Sequence, residues 1–107
     1  MLVAITADGR NVAKEFSRTK AFEVFKVIEG RPSGRMRIDT SAGVSDKDLL
    51  YILQNEGVDT LLCGGISSEE QRELEKYAIK VITGAKGSTQ SILNSYLKSE
   101  RSKQLGK

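Results

Sequence analysis

The chain has one cysteine and no histidine in 107 residues. Cys63 closes the run Val58-Asp-Thr-Leu-Leu-Cys63 and is followed by Gly64-Gly65-Ile66-Ser67. A thiol in that place has two readings: a small buried hydrophobe, or a thiolate stabilised by glycine amides near a helix start. A lone thiolate holds a soft metal or a cluster only if the other ligands come from the cofactor or another subunit. A second stretch, Gly84-Ala-Lys-Gly87-Ser88-Thr89, offers amides and hydroxyls suited to an anion at a helix N-terminus. Its lysine precedes the second glycine, so its spacing is not that of a nucleoside-triphosphate phosphate loop. The lack of histidine excludes Ser–His and Cys–His nucleophile pairs and imidazole-based zinc sites. Asp8, Asp39 and Asp59 are the strand-end acids. Asp59 opens a strand where Asp8 closes one, so the converging carboxylates of a two-metal nuclease are not expected.

These residues need elements to hold them. Leu2-Val-Ala-Ile-Thr reads as a buried first strand ended by the turn signal Asp8-Gly9. Residues 11–20 have no clean period and suit a loop or a short helix. Ala21–Ile28 alternates, with Phe22 and Val24 on one face and Glu23, Phe25 and Val27 on the other. Arg35–Thr40 alternates with Met36 and Ile38 inward, and the arginines of 31–37 suit an edge strand. From Ser41 the period changes to that of a helix. Ser45 with Asp48, and Ser67 with Glu70, have capping-box spacing, and Val44 with Leu49 fits a hydrophobic staple. Leu49, Leu50, Ile52 and Leu53 form the apolar face of the first helix, which Gly57 stops. Val58–Cys63 and Ile79–Ile82 are apolar runs of the parallel, doubly covered kind. The second helix runs through Leu74, Tyr77 and Ala78, and the last carries the stripe Ile92, Leu93, Tyr96 and Leu97.

The expected fold is α/β, a three-layer α/β/α domain on a five-stranded mixed sheet over residues 1–98, with 99–107 a basic, flexible tail. In such sheets ligands collect outside the carboxyl ends of the parallel strands. The exits of the first strand, of the Cys63 strand and of the Ile82 strand should therefore share one rim.

Composition bounds the rest. A chain of this length builds one core. Residues 1–37 carry eight basic side chains against four acidic, and 98–107 carry four against one. That basic bias fits a phosphate, an acidic partner or simply a solvated surface. No aromatic stripe accompanies it, so nucleic acid is not expected as a partner. No apolar run approaches the roughly 20 residues of a membrane helix. The opening lacks the basic region of a signal peptide, and one cysteine forms no internal disulfide, so a cytoplasmic location is expected.

Ala4-Ile-Thr-Ala-Asp-Gly9, the stretch from Val12 through Glu15-Phe16-Ser17-Arg18 to Val27, Gly57-Val-Asp-Thr-Leu-Leu-Cys-Gly-Gly-Ile66 and Ile79-Lys-Val-Ile-Thr-Gly84, in this order and spacing, resemble the dinitrogenase iron–molybdenum cofactor biosynthesis and accessory family. The resemblance covers residues 1–98. It implies a ribonuclease H-like fold with one strand antiparallel to the other four, and a non-catalytic protein that carries or helps assemble cofactor precursors. Many members of that family have a His-Phe-Gly-Arg-like stretch whose histidine is implicated in metal binding. Here Glu15 takes the place of the histidine and Ser17 that of the glycine, while Phe16 and Arg18 remain. A carboxylate is a hard donor, poorly matched to a sulfide-rich cluster. On the resemblance, an iron–sulfur or iron–molybdenum type cluster would meet Cys63 as its soft donor, with Arg18, Glu15 and the Gly64 and Gly65 amides around it. Two other readings stay open: a nucleotide or phosphate module built on Gly84, Gly87, Ser88 and Thr89, and a protein-interaction domain or homodimer that uses the basic tail and the Arg31–Arg37 edge.

Overall fold

The computed structural model describes residues 1–40 and 44–105. Ser41, where the helical period begins in the sequence, and the last two residues of the tail lie outside them. The elements run β1 (Leu2–Asp8), β2 (Asn11–Val12), a 3₁₀ turn (Phe16–Arg18), β3 (Ala21–Ile28), β4 (Arg31–Asp39), α1 (Asp46–Asn55), β5 (Thr60–Leu62), α2 (Ser68–Lys76), β6 (Lys80–Ile82) and α3 (Thr89–Leu105). The sheet order is β4-β3-β1-β5-β6. Both β5 and β6 run parallel to β1, while β3 is antiparallel to β1 and to β4. The strand count corrects the expectation of five. A sixth strand, the two-residue β2, folds back on β1 with Ala7 opposite Val12. Two residues are too few for any periodicity to mark them.

The sheet is covered on both sides. Ala4, Phe22, Val24 and Leu61 face α1 and α2 through Leu49, Leu53 and Leu74. Val3, Ile5, Phe25, Val27 and Leu62 face α3 through Leu93, Tyr96 and Leu97. Burying each large aliphatic or aromatic side chain of these two clusters stabilises the fold by about 1.5–3 kcal/mol before entropy is counted. Strand alternation on β1, β3 and β5 sends successive residues to opposite layers, which is why all three are apolar on both faces.

The edge strand departs from its reading. It begins at Arg31, four residues early, because Glu29 (φ 52°) and Gly30 (φ 76°) make a tight two-residue hairpin turn and Pro32 is tolerated at a sheet edge. Met36, expected inward, is 45 % exposed. It lies beside Val24 at the sheet's border, beyond the reach of the helices, whereas Ile38 packs on the α1–α2 cluster. Tyr77 is likewise exposed, at the C-terminal cap of α2, and Val44 of the expected staple is exposed. The charge on β4 is fixed inward rather than outward. Glu23 on β3, largely buried, is ion-paired with Arg37 and lies 3.8 Å from Arg35. α3 is helical to Leu105, beyond the boundary expected at residue 98.

Candidate functional site

Because β1, β5 and β6 run parallel, their carboxyl ends share one rim, and backbone bonds knit the three exits together. Gly84 N donates to Gly64 O (3.2 Å) and Ala85 N to Cys63 O (2.9 Å), tying the exits of β5 and β6. Val12 N donates to Gly87 O (2.8 Å) and Thr89 N to Arg10 O (3.0 Å), tying the β1–β2 hairpin to the loop before α3. Phe16 N donates to Gly65 O and Gly65 N to Lys14 O, each at 2.7 Å, which lays the 3₁₀ turn against the Cys63 loop. Asp59 is at the other end of the sheet, where its Oδ2 accepts from Leu2 N at 2.7 Å.

Within that rim the named residues have separate fates. Cys63 is fully buried in the α1–α2 cluster with Phe16 and Leu74, and burial pushes its thiol up to about 11. At neutral pH the thiolate is then on the order of one molecule in 10⁴. Gly64 has a packing reason for its identity. A Cβ there would lie 2.5 Å from Lys14 O and 2.6 Å from Ala13 O. Glu15 and Arg18 are exposed and 3.8 Å apart, a surface pair of small energetic worth. Gly65 N, Gly84 N, Ala85 N and Thr89 N already donate to backbone carbonyls, and Ser88 Oγ accepts from Ser91 N (3.1 Å) as a cap for α3. Gly84 and Gly87 have φ of 80° and 98°, the left-handed region that favours glycine. The two glycine-rich turns are therefore built chiefly to hold each other, and half of the amides of 84–89 are not free to wrap a phosphate.

What the rim does present is a division of charge across the 14–16 segment. On one side a cleft of about 450 Å³ is lined by Lys14, Lys86, Thr83, Gln71 and the backbones at Gly64, Gly65 and Gly84. It has cationic side chains and no acidic lining. Lys14 also borders a smaller cleft of about 270 Å³ with Asp8, Asn11 and Arg18. On the other side a cleft of about 420 Å³ is acidic, with Glu15, Asp46 and Glu70 beside Ser67 and Phe16. Burial and the neighbouring Asp46 carboxyl hold Glu70 above the usual carboxylate range. Among the described residues no group of three or more His, Cys, Asp or Glu side chains could hold a metal ion. Lys14 and Lys86 were not singled out by sequence. Lys14 sits in a stretch without period, and Lys86 matters only through a neighbour 72 positions away.

The family model for dinitrogenase iron–molybdenum cofactor proteins matches residues 1–99. The chain belongs to this family. Solved structures share its fold. PH0822 superposes with a TM-score of 0.86 at 22% identity, over 92% of this chain and 90% of the other. The apo form of the orange protein from Desulfovibrio gigas gives 0.77 at 20% identity, over 92% and 88%. A protein from Methanocaldococcus jannaschii gives 0.76 at 21% identity, over 94% and 90%. No curated protein matches the sequence. Such identities carry the fold and not the ligand. The donor set must therefore be weighed on this chain alone. It does not suit direct coordination, since there is no imidazole, the one thiol is buried and protonated, and the exposed Glu15 is a hard oxygen donor. It does suit holding, by charge, an anion that brings its own ligands.

Proposed function

We propose that the protein is a non-catalytic, cytoplasmic accessory carrier whose cargo is an anionic metal–sulfur cluster of iron–molybdenum type, held without coordination in the Lys14–Lys86 cleft. One observation carries this reading: two lysines, with a hydroxyl and small glycine backbones between them, line a cleft free of carboxylates at the carboxyl rim. Membership of the family supports the class of cargo. A metal–sulfur cluster supplies its own sulfide ligands, so the carrier needs only to neutralise charge and exclude misfits. Lys14 reaches the cleft from the β1 side and Lys86 from the β6 side, and their ammonium groups would bracket the anion. Gly64 and Gly65 keep the floor low. The acidic cleft beyond Glu15 repels an anion, which confines the cargo to one side of the 14–16 segment.

The test is anaerobic loading with isolated iron–molybdenum cofactor, followed by desalting, absorbance and metal analysis. Wild type and Cys63→Ala should retain cofactor alike, and Lys14→Glu with Lys86→Glu should retain at least tenfold less. A wild type that elutes colourless and free of metal, or a double variant that retains as much as wild type, defeats the proposal.

A further inference from the structure

Residues 14–18 lie over the ends of β1 and β5 and point one large side chain down. Phe16 is fully buried, whereas Glu15, Ser17 and Arg18 face solvent. Beneath it two polar groups sit side by side. Ala4 pairs with Leu61 and Ile5 with Leu62, so the next rung sets Thr6 opposite Cys63. Alternation puts both on the face that Ala4, Leu61 and Phe16 share. Both are fully buried, and Thr6 Oγ1 has no hydrogen-bond partner. A buried hydroxyl left unpaired is costly, and valine would fill the same space without that cost. Thr6 is thus a poor filler, but a hydroxyl next to a thiol makes a serviceable floor for a polar or metallic ligand.

The cover is lightly fastened. Two backbone bonds join it to Gly65, and Thr19 N and Oγ1 donate to Phe16 O at 3.1 and 2.7 Å. Clefts of about 420 and 450 Å³ flank it on either side, so it has space to move into. Segments with few fastenings and open flanks are those that open locally without global unfolding.

We propose that residues 14–18 form a strap whose Phe16 plug seals a latent soft-metal ligand, and that lifting the strap presents Cys63 Sγ, with Thr6 Oγ1 beside it, on the floor of the cargo cleft. The cargo assignment rests on the carrier reading, but the strap itself is testable on the empty protein. In the closed form the cargo is held by charge alone. In the open form a sulfur–metal bond forms, the thiol proton passes to solvent, and the ligand displaced from the metal leaves.

The probe is p-chloromercuribenzoate, a soft metal electrophile that needs only one thiol. The sulfur–mercury bond forms, chloride leaves and the proton goes to buffer, with the reaction followed by absorbance at neutral pH. Wild type should react at a rate that levels off with reagent concentration, because opening limits it. Phe16→Ala should react at least tenfold faster, and the milder Phe16→Leu, which keeps an apolar plug, at an intermediate rate. Gly64→Ala, whose Cβ would press on Lys14 O, should also accelerate the reaction. Leu93→Ala makes a cavity on the opposite, α3 face and should stay within about twofold of wild type. If Leu93→Ala speeds the reaction as much as the Phe16 variants at matched loss of stability, Cys63 is reached only by global unfolding and the strap is refuted. Equal rates for wild type, Phe16→Leu and Gly64→Ala refute it as well. Either failure leaves the carrier reading standing, because that reading is judged by cofactor retention in a separate measurement.

Discussion

Cys63 and Gly64 are adjacent, yet different forces select them. Gly64 answers to a carbonyl that leaves no room for a methyl group, and Cys63 to a core that excludes charge. The second fact has a pH signature. The folded thiol titrates near 11, above its ordinary value of 9.0, so folding favours the protonated form. The associated stability is complete below about pH 9 and is lost as pH rises from there through about 11, with a total of roughly 2–3 kcal/mol. Chemical denaturation at pH 8 and pH 11 should show a larger alkaline loss in wild type than in Cys63→Ala, by about that amount. Equal losses would mean that the thiol is not desolvated. Sequence could show that a cysteine ends a strand. It could not show which way the side chain turns, because that depends on the rung it shares with Thr6, 57 positions earlier. The amides at Gly65 and Gly84 were illegible for the same reason: their acceptors lie on other loops.

The helices, by contrast, are governed locally, and their starts were readable. Ser45 with Asp48 and Ser67 with Glu70 form complete reciprocal capping boxes. Their ends obey one rule with two residues. After α1, Val58 N donates to Leu53 O across Gly57 (φ 70°). After α2, Ile79 N donates to Leu74 O across Ala78 (φ 61°). Both are the same left-handed stop with its apolar clasp, Leu53 to Val58 and Leu74 to Ile79. Alanine at φ 61° carries a steric cost of about 1 kcal/mol that glycine avoids. Ala78→Gly should therefore raise the stability by up to about 1 kcal/mol, while Gly57→Ala should lower it by a similar amount. Thermal melts of the two variants check both signs. The strands show the opposite balance. Residues in the central strands declared themselves by apolar runs, whereas Arg31–Gly34 and Asn11–Val12 have no apolar pattern and are strands only because a neighbour pairs with them.

Across the whole molecule, charge is arranged more tellingly than its net value of +3 implies. At the carboxyl rim, Lys14 and Lys86 face one cleft while Glu15, Asp46 and Glu70 face another, with a single backbone segment between them. If charge rather than coordination holds the cargo, the hold must respond to screening, whose length falls from about 10 Å at 0.1 M salt to about 3 Å at 1 M. Cofactor retention should fall several-fold over that range in wild type and in Cys63→Ala. Retention that ignores salt would indicate a direct metal–protein bond. The sheet topology follows from sequence order and handedness, so it was legible; the split of the rim arises from side chains brought together by folding, so it was not.

The placement of the last helix bears on how the molecule is made. β1 sits at the centre, and its inner residues Val3 and Ile5, with Phe25 and Val27 of β3, are roofed only by α3. During synthesis that hydrophobic sheet surface stays bare until nearly the final residues have left the ribosome, because Leu93, Tyr96 and Leu97 are made last. A nascent chain stalled before them would expose a flat, sticky plane that a trigger-type chaperone must shield, although every strand it needs has already been translated.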